Sequence, residues 1–143
     1  MENIDWKSLP FGYMKTDYNV RVKWSNGSWG QIEVSNSEYL NIHMAATCLH
    51  YGQEAFEGMK AYRNKEGKVC LFRWEENFKR LQRSAEGILM APVTKEIFKE
   101  AITKAVKLNE RFVPPFGTGA ALYIRPFLFG SGAEVGVKPA KEY

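Results

Sequence analysis

Apolar positions along the chain change period several times, and each change marks an element. Residues 1–18 show no period, and Pro10, Gly12 and interleaved aromatics make them an irregular N-terminal segment. From Val20 to Trp24, Val20, Val22 and Trp24 alternate with Arg21 and Lys23, which predicts a half-buried strand. Ser25-Asn26-Gly27-Ser28 reads as a hairpin turn, with a second strand over Trp29–Val34. Ala45–Leu49 suits a short helix. Gly58–Arg63 and Lys68–Arg73 read as a second hairpin around Asn64-Lys65-Glu66-Gly67. The period then turns helical. Over Glu75–Leu89, Phe78, Leu81, Ala85 and Ile88 fall three and four apart until Pro92. Thr94 is placed to cap a further helix from Lys95 to about Phe112, with Ile97, Ala101, Ala105 and Leu108 as its buried stripe and Pro114-Pro115 as its stop. Ala120–Phe129 predicts one more strand, and Gly130–Pro139 is a Gly-rich connection.

Strands, then helices, then a strand, with hairpins between, predict an α+β fold: an antiparallel sheet with helices packed on it. The chain has 143 residues, 45% apolar and 25% charged. That is one domain, taken as residues 19–143 behind the irregular segment, and it buries roughly two thirds of its unfolded surface. Nine Phe, seven Tyr and four Trp exclude a disordered chain. No apolar run reaches the ~20 residues that span a bilayer, so no membrane association is expected. Met1–Pro10 carries Glu2 and Asp5 and has no apolar core of a secretory signal. The net charge of +4 comes from 20 basic and 16 acidic residues that are interspersed. With no clustered basic face, nucleic acid is not an expected partner. Cys48 and Cys70 lack zinc-like spacing and read as reduced, packed thiols, which suits a cytoplasmic location.

The common catalytic templates are absent: no HExxH, P-loop, GxGxxG or GxSxG. His43 and His50 are seven apart and lack a third ligand, so no metal is expected. Glu54 and Glu57 stand three apart; they suit an acid/base pair, a solvated face or an ion pair. Three arginines lie in apolar surroundings. Arg80 and Arg83 sit on the first long helix. Arg125 lies in Tyr123-Ile124-Arg125-Pro126-Phe127, where alternation puts it on one face with Tyr123. Their forked guanidinium groups suit either a structural ion pair or a carboxylate or phosphate ligand.

At these residues the sequence resembles a known family. Leu49-His50-Tyr51-Gly52-Gln53-Glu54-Ala55-Phe56-Glu57-Gly58-Met59-Lys60-Ala61-Tyr62-Arg63 is similar to the signature segment of branched-chain amino acid aminotransferases, fold-type IV enzymes dependent on pyridoxal 5'-phosphate. Phe11-Gly12 with Thr16-Asp17, the helix segment Asn77–Ala85, Leu122–Pro126 and Gly136-Val137-Lys138-Pro139 resemble further motifs of that family, in order and at fitting spacing.

The resemblance implies the fold of the small N-terminal domain and a set of roles. Arg80 corresponds to the arginine that holds the cofactor phosphate. Phe11, Tyr51, Phe56, Tyr123 and Val137 correspond to walls of the pocket for an aliphatic side chain. Tyr123 and Arg125 correspond to the pair near the substrate carboxylate, Tyr123 contacting it and Arg125 orienting. Tyr51 and Val137 are expected to serve the other subunit of a homodimer. The substrates implied are leucine, isoleucine or valine and a 2-oxo acid, 2-oxoglutarate. The family's Schiff-base lysine lies in a second domain that matches nothing here, and Lys60 matches no such position. The chain ends at Lys141-Glu142-Tyr143 as if cut, and alone is expected to be inactive and to hold the cofactor weakly. The alternatives are the small domain of D-amino acid aminotransferase or aminodeoxychorismate lyase, and a non-catalytic dimerisation or partner-binding module.

Overall fold

The computed structural model describes residues 4–9 and 11–143. Residues 4–9 and 11–18 form neither helix nor strand, as the sequence suggests. Next comes a ribbon. Strand β1 (Asn19–Arg21) pairs antiparallel with β4 (Glu33–Ser35), and β2 (Trp24–Ser25) pairs with β3 (Ser28–Trp29). The hairpin turns at Asn26 and Gly27, whose φ of 53° and 80° are the left-handed pair that a two-residue turn needs. The predicted strand Trp29–Val34 is interrupted. Pairing shifts by one residue between Trp24↔Trp29 and Arg21↔Glu33, so the return strand carries an extra residue around Gly30–Ile32, a bulge.

Helix α1 (Thr47–Tyr51) lies slightly later than predicted and ends at Gly52, left-handed at φ 61°. Strands β5 (Glu54–Phe56), β6 (Met59–Arg63) and β7 (Val69–Leu71) follow, then α2 (Trp74–Gly87), α3 (Lys95–Leu108), a 3-10 turn (Glu110–Phe112), β8 (Leu122–Ile124) and β9 (Phe127–Phe129). The second hairpin is as expected: β6 and β7 pair Ala61↔Leu71, with Gly67 at φ 80° closing the loop. The single strand expected over Ala120–Phe129 is two strands, because Pro126 has no N–H to give the ladder. The two keep one register all the same. β9 pairs with β5 (Phe56↔Phe127) and β8 with β6 (Met59↔Ile124), and no residue is gained or lost between them. Together they form one antiparallel ribbon, interrupted where Glu57-Gly58 faces Arg125-Pro126.

Strand β6 sorts the core. Met59 and Ala61 point inward; Lys60 and Tyr62 point out. Met59 packs with Leu81 of α2 and with Phe98 and Ile102 of α3, and Ala61 packs with Val106 and Val113. The predicted α2 stripe holds, with Leu81 and Ala85 buried and Phe78 and Ile88 half-buried. The predicted α3 stripe is one position off. Phe98, Ile102 and Val106 are the buried set, while Ile97, Ala101, Ala105 and Leu108 are half-buried. The sheet takes the larger side chains, since they remove more apolar surface from water. Ile97, Ala101 and Ala105, with parts of Phe98, Ile102 and Val106, line a cavity of about 310 Å³ shared with Val20 and Val22 of the N-terminal ribbon. Thr94 caps α3 as expected, its Oγ1 accepting the Ile97 N–H at 3.3 Å. Among the described residues no helix is long and apolar enough to cross a membrane.

Candidate functional site

The interruption in the ribbon carries most of the candidate residues. Glu57 sits in it, only 2% exposed, with its backbone N–H donating to Pro126 O across the ribbon. Its carboxylate takes both arms of the Arg80 fork. Nε donates to Oε1 and Nη2 to Oε2, each at 2.6 Å, and Asn77 Nδ2 adds a third bond to Oε2 at 2.9 Å. Asn77 and Arg80 are three apart on α2, so one helix face delivers both. Burial pushes the Glu57 carboxyl up, but the bonds from Arg80 and Asn77 outweigh it and hold it below the usual carboxylate range. The same pairing raises the Arg80 pKa further. Of the three sequence readings for Glu57, the ion pair is the one found.

Arg80 itself is 60% exposed. Glu57 occupies the Nε/Nη2 edge, and Nη1 makes no hydrogen bond among the described residues, which leaves its N–H donors available. A guanidinium so fixed is pre-organised for an anion. It fits one side of a phosphate group, and its buried partner keeps it from swinging away.

Gly58 follows, and its lack of a side chain has a use. A Cβ there would come within 2.7 Å of the Tyr123 hydroxyl, so the Tyr123 ring rests on bare backbone. Tyr123 and Arg125 do share a face: Arg125 Nη2 donates to Tyr123 OH at 3.3 Å. The Arg125 guanidinium also lies 4.7 Å from the Phe56 ring centre and 5.4 Å from that of Tyr123. Phe11 stands edge-on to Tyr123 at 5.5 Å. Arg125 is exposed and has no acidic partner among the described residues, so its charge is open to a carboxylate. Arg83 is exposed too and makes no ion pair or side-chain hydrogen bond among them. For these two arginines the structural ion pair does not occur.

The structure thus brings Phe11, Phe56, Tyr123, Arg125 and, through Glu57 and Gly58, Arg80 to one place. Tyr51 and Val137 form a second group. The Tyr51 hydroxyl accepts the Gly136 N–H at 2.9 Å, which holds the loop bearing Val137, itself 91% exposed. No hydrogen bond or ring contact joins the two groups among the described residues. Two residues of the first group, Asn77 and Gly58, lay outside the sequence-based candidates, and Glu57 was among them only as a pair with Glu54. The spacing of Asn77 and Arg80 signals a shared helix face, but nothing in the sequence says what that face meets 20 residues upstream.

The remaining candidates separate. His50 Nε2 lies 2.8 Å from Met44 O, and His43 Nδ1 accepts the Ala45 N–H, so the two serve local turns. No cluster of metal-ligating side chains occurs among the described residues. Cys48 is half-buried, with its thiol pushed up by burial, but Cys70 is exposed on β7. The packed role expected of Cys70 therefore fails. Its neighbours Val69 and Leu71 take the inward positions, and alternation turns Cys70 out.

The amino-transferase class IV family matches residues 54–143. The branched-chain-amino-acid aminotransferase of Helicobacter pylori is 48% identical over 143 residues, all of this chain and 42% of the relative. Among solved structures, the branched-chain amino acid aminotransferase of Escherichia coli superposes with a TM-score of 0.64 at 28% identity, covering 87% of this chain and 36% of that one. The branched-chain aminotransferase of the thermophilic archaeon Thermoproteus uzoniensis, solved with norvaline, gives 0.60 at 28%, covering 83% and 36%. The chain therefore spans well under half the length of the proteins it matches.

Proposed function

The chain belongs to the class IV amino-transferase family, with the fold of the N-terminal domain of fold-type IV enzymes, and on that premise we propose that it forms that domain of a branched-chain aminotransferase. The reaction is amino transfer between leucine, isoleucine or valine and 2-oxoglutarate, with pyridoxal 5'-phosphate as cofactor. The observation that carries this reading is the juxtaposition where the ribbon is interrupted: an anion-ready Arg80 fixed by buried Glu57, beside an aromatic wall topped by an unneutralised Arg125.

Each group has a task. The open side of Arg80 holds the cofactor phosphate. The cofactor, when bound, supplies the electron withdrawal that weakens the bonds at the substrate's Cα. Phe11, Phe56 and Tyr123 take the aliphatic side chain and exclude water; selectivity there rests on apolar burial. The Tyr123 oxygen accepts from Arg125, so its own proton points away from that bond, free to donate to the substrate carboxylate. The lysine that moves protons lies outside these residues. Tyr51 and Val137, held apart from the wall, serve the pocket of the partner subunit in a homodimer. The two free thiols suit a cytoplasmic protein.

The test is a substrate profile of the full-length protein carrying this chain. Turnover with the three branched-chain amino acids, but not with D-alanine or aminodeoxychorismate, supports the reading. Preference for either of the latter overturns it. The 143-residue chain alone is expected to give no turnover.

A further inference from the structure

Residues 11–18 form no regular structure, yet side chains from distant parts of the chain hold them at several points. Asn109, buried at the C-terminus of α3, does what a neighbouring strand would do. Its Oδ1 accepts the Tyr18 N–H at 3.0 Å, and its Nδ2 donates to Tyr18 O at 2.9 Å and to Ala105 O at 2.8 Å. One residue earlier, Asp17 takes both arms of Arg111, Nε to Oδ2 at 2.6 Å and Nη2 to Oδ1 at 2.5 Å. Those bonds hold the Asp17 carboxyl below its usual range. Upstream, Glu38 accepts from Tyr13 OH at 2.6 Å and pairs with Lys15 at 2.8 Å. At the end of this strap Phe11 stands against Tyr123. Phe11 is 87% exposed, so burial does not keep it there.

We propose that Asp17, Asn109 and Arg111 form a clasp that positions Phe11 against Tyr123, making the C-terminal end of α3 a determinant of side-chain specificity. The chemistry favours this over a merely structural tie. The clasp engages both backbone groups of Tyr18 and both carboxylate oxygens of Asp17, fixing direction as well as place. A strap so aimed delivers its far end to one spot. The inference rests on the branched-chain reading, because it assumes that Phe11 walls the pocket of an aliphatic substrate.

The test uses Asp17→Ala, Asp17→Glu, Asn109→Ala and Phe11→Ala in the full-length protein. Two readouts are needed: hydrogen exchange over residues 11–18, and kinetics with leucine against alanine, whose methyl group does not reach the wall. Asn109→Ala is expected to speed exchange of the Tyr18 amide. Asp17→Ala is expected to loosen the strap and to raise KM for leucine about tenfold relative to alanine, kcat changing less. Phe11→Ala should do the same, the double variant should add nothing, and Asp17→Glu should recover most of the loss. Because Asp17 is less buried than Asn109, its variants remain informative if Asn109→Ala fails to fold. A loosened strap with unchanged discrimination between leucine and alanine overturns the proposal, as does an unaltered strap. A wild-type protein that turns over no leucine sinks the branched-chain reading instead, and exchange still decides whether the clasp holds the strap.

Discussion

The residues around Glu57 and those around Tyr51 differ in what holds them. Glu57, Arg80, Gly58 and Tyr123 are fixed by the cross-strand pairing, a helix face and a bidentate ion pair to a buried carboxylate. Tyr51 ends α1 with its hydroxyl on the Gly136 N–H, and Val137 stands out from a loop that is otherwise tied through Glu134 to Ala45 and Lys138. The first group is finished by this chain's own packing. The second presents aromatic and aliphatic surface with little to bury it, as a wall intended for another molecule would. On the proposed reading, one group builds this subunit's site and the other its partner's.

That contrast can be broken at several strengths. The largest effect is expected from Arg80→Ala in the full-length protein. It removes a charge-assisted contact worth roughly 1.5–3 kcal/mol, so the cofactor dissociation constant should rise about ten- to a hundredfold, read by equilibrium dialysis. Unchanged retention would remove Arg80 from the phosphate site. Next is Glu57→Ala, which takes away three hydrogen bonds to a buried carboxylate. About 2 kcal/mol of unfolding free energy should be lost, measured by denaturant titration.

Glu57 also predicts a pH dependence. Its carboxyl is depressed in the folded state, so the stability it gives is present above the usual carboxylate range. That stability is lost as pH falls through the depressed value. The gap between wild type and Glu57→Gln should therefore close on acidification; a gap that stays constant would contradict the ion-pair account.

Gly58→Ala drives a Cβ toward the Tyr123 hydroxyl, and about 1 kcal/mol of overpacking cost is expected, together with impaired leucine binding. The smallest effects belong to the other group. Tyr51→Phe and Val137→Ala should each change stability by less than about 0.5 kcal/mol, since both side chains are exposed. A large loss from either would mean that this loop is finished within the chain after all.

Local elements were readable from sequence where one signal dominated. Asn26-Gly27, Asn64–Gly67 and Thr94 each carry their own turn or cap chemistry, and all three occur as expected. What failed depended on distant partners. The α3 stripe is set by which side chains meet Met59 and Ala61 of β6, and both candidate stripes are apolar enough to qualify. The break at Pro126 was visible as a proline. Its consequence, an interruption of the ladder with Glu57 seated opposite, needed the pairing register. For the site, alternation sufficed to place Tyr123 beside Arg125, and family resemblance supplied the other members. Glu57 as the anchor of Arg80 is a contact across 23 residues that no local pattern encodes.

The most direct test is subunit complementation in the full-length protein. Arg80→Ala and Tyr51→Ala variants would be mixed so that their subunits exchange. If the two groups serve different subunits of one dimer, a mixed dimer concentrates both lesions in one site and leaves the other intact. Activity should then recover to roughly a quarter of wild type, half the dimers being mixed and each carrying one whole site. A mixture no more active than its separate components would place both groups in the same subunit's site and contradict the account.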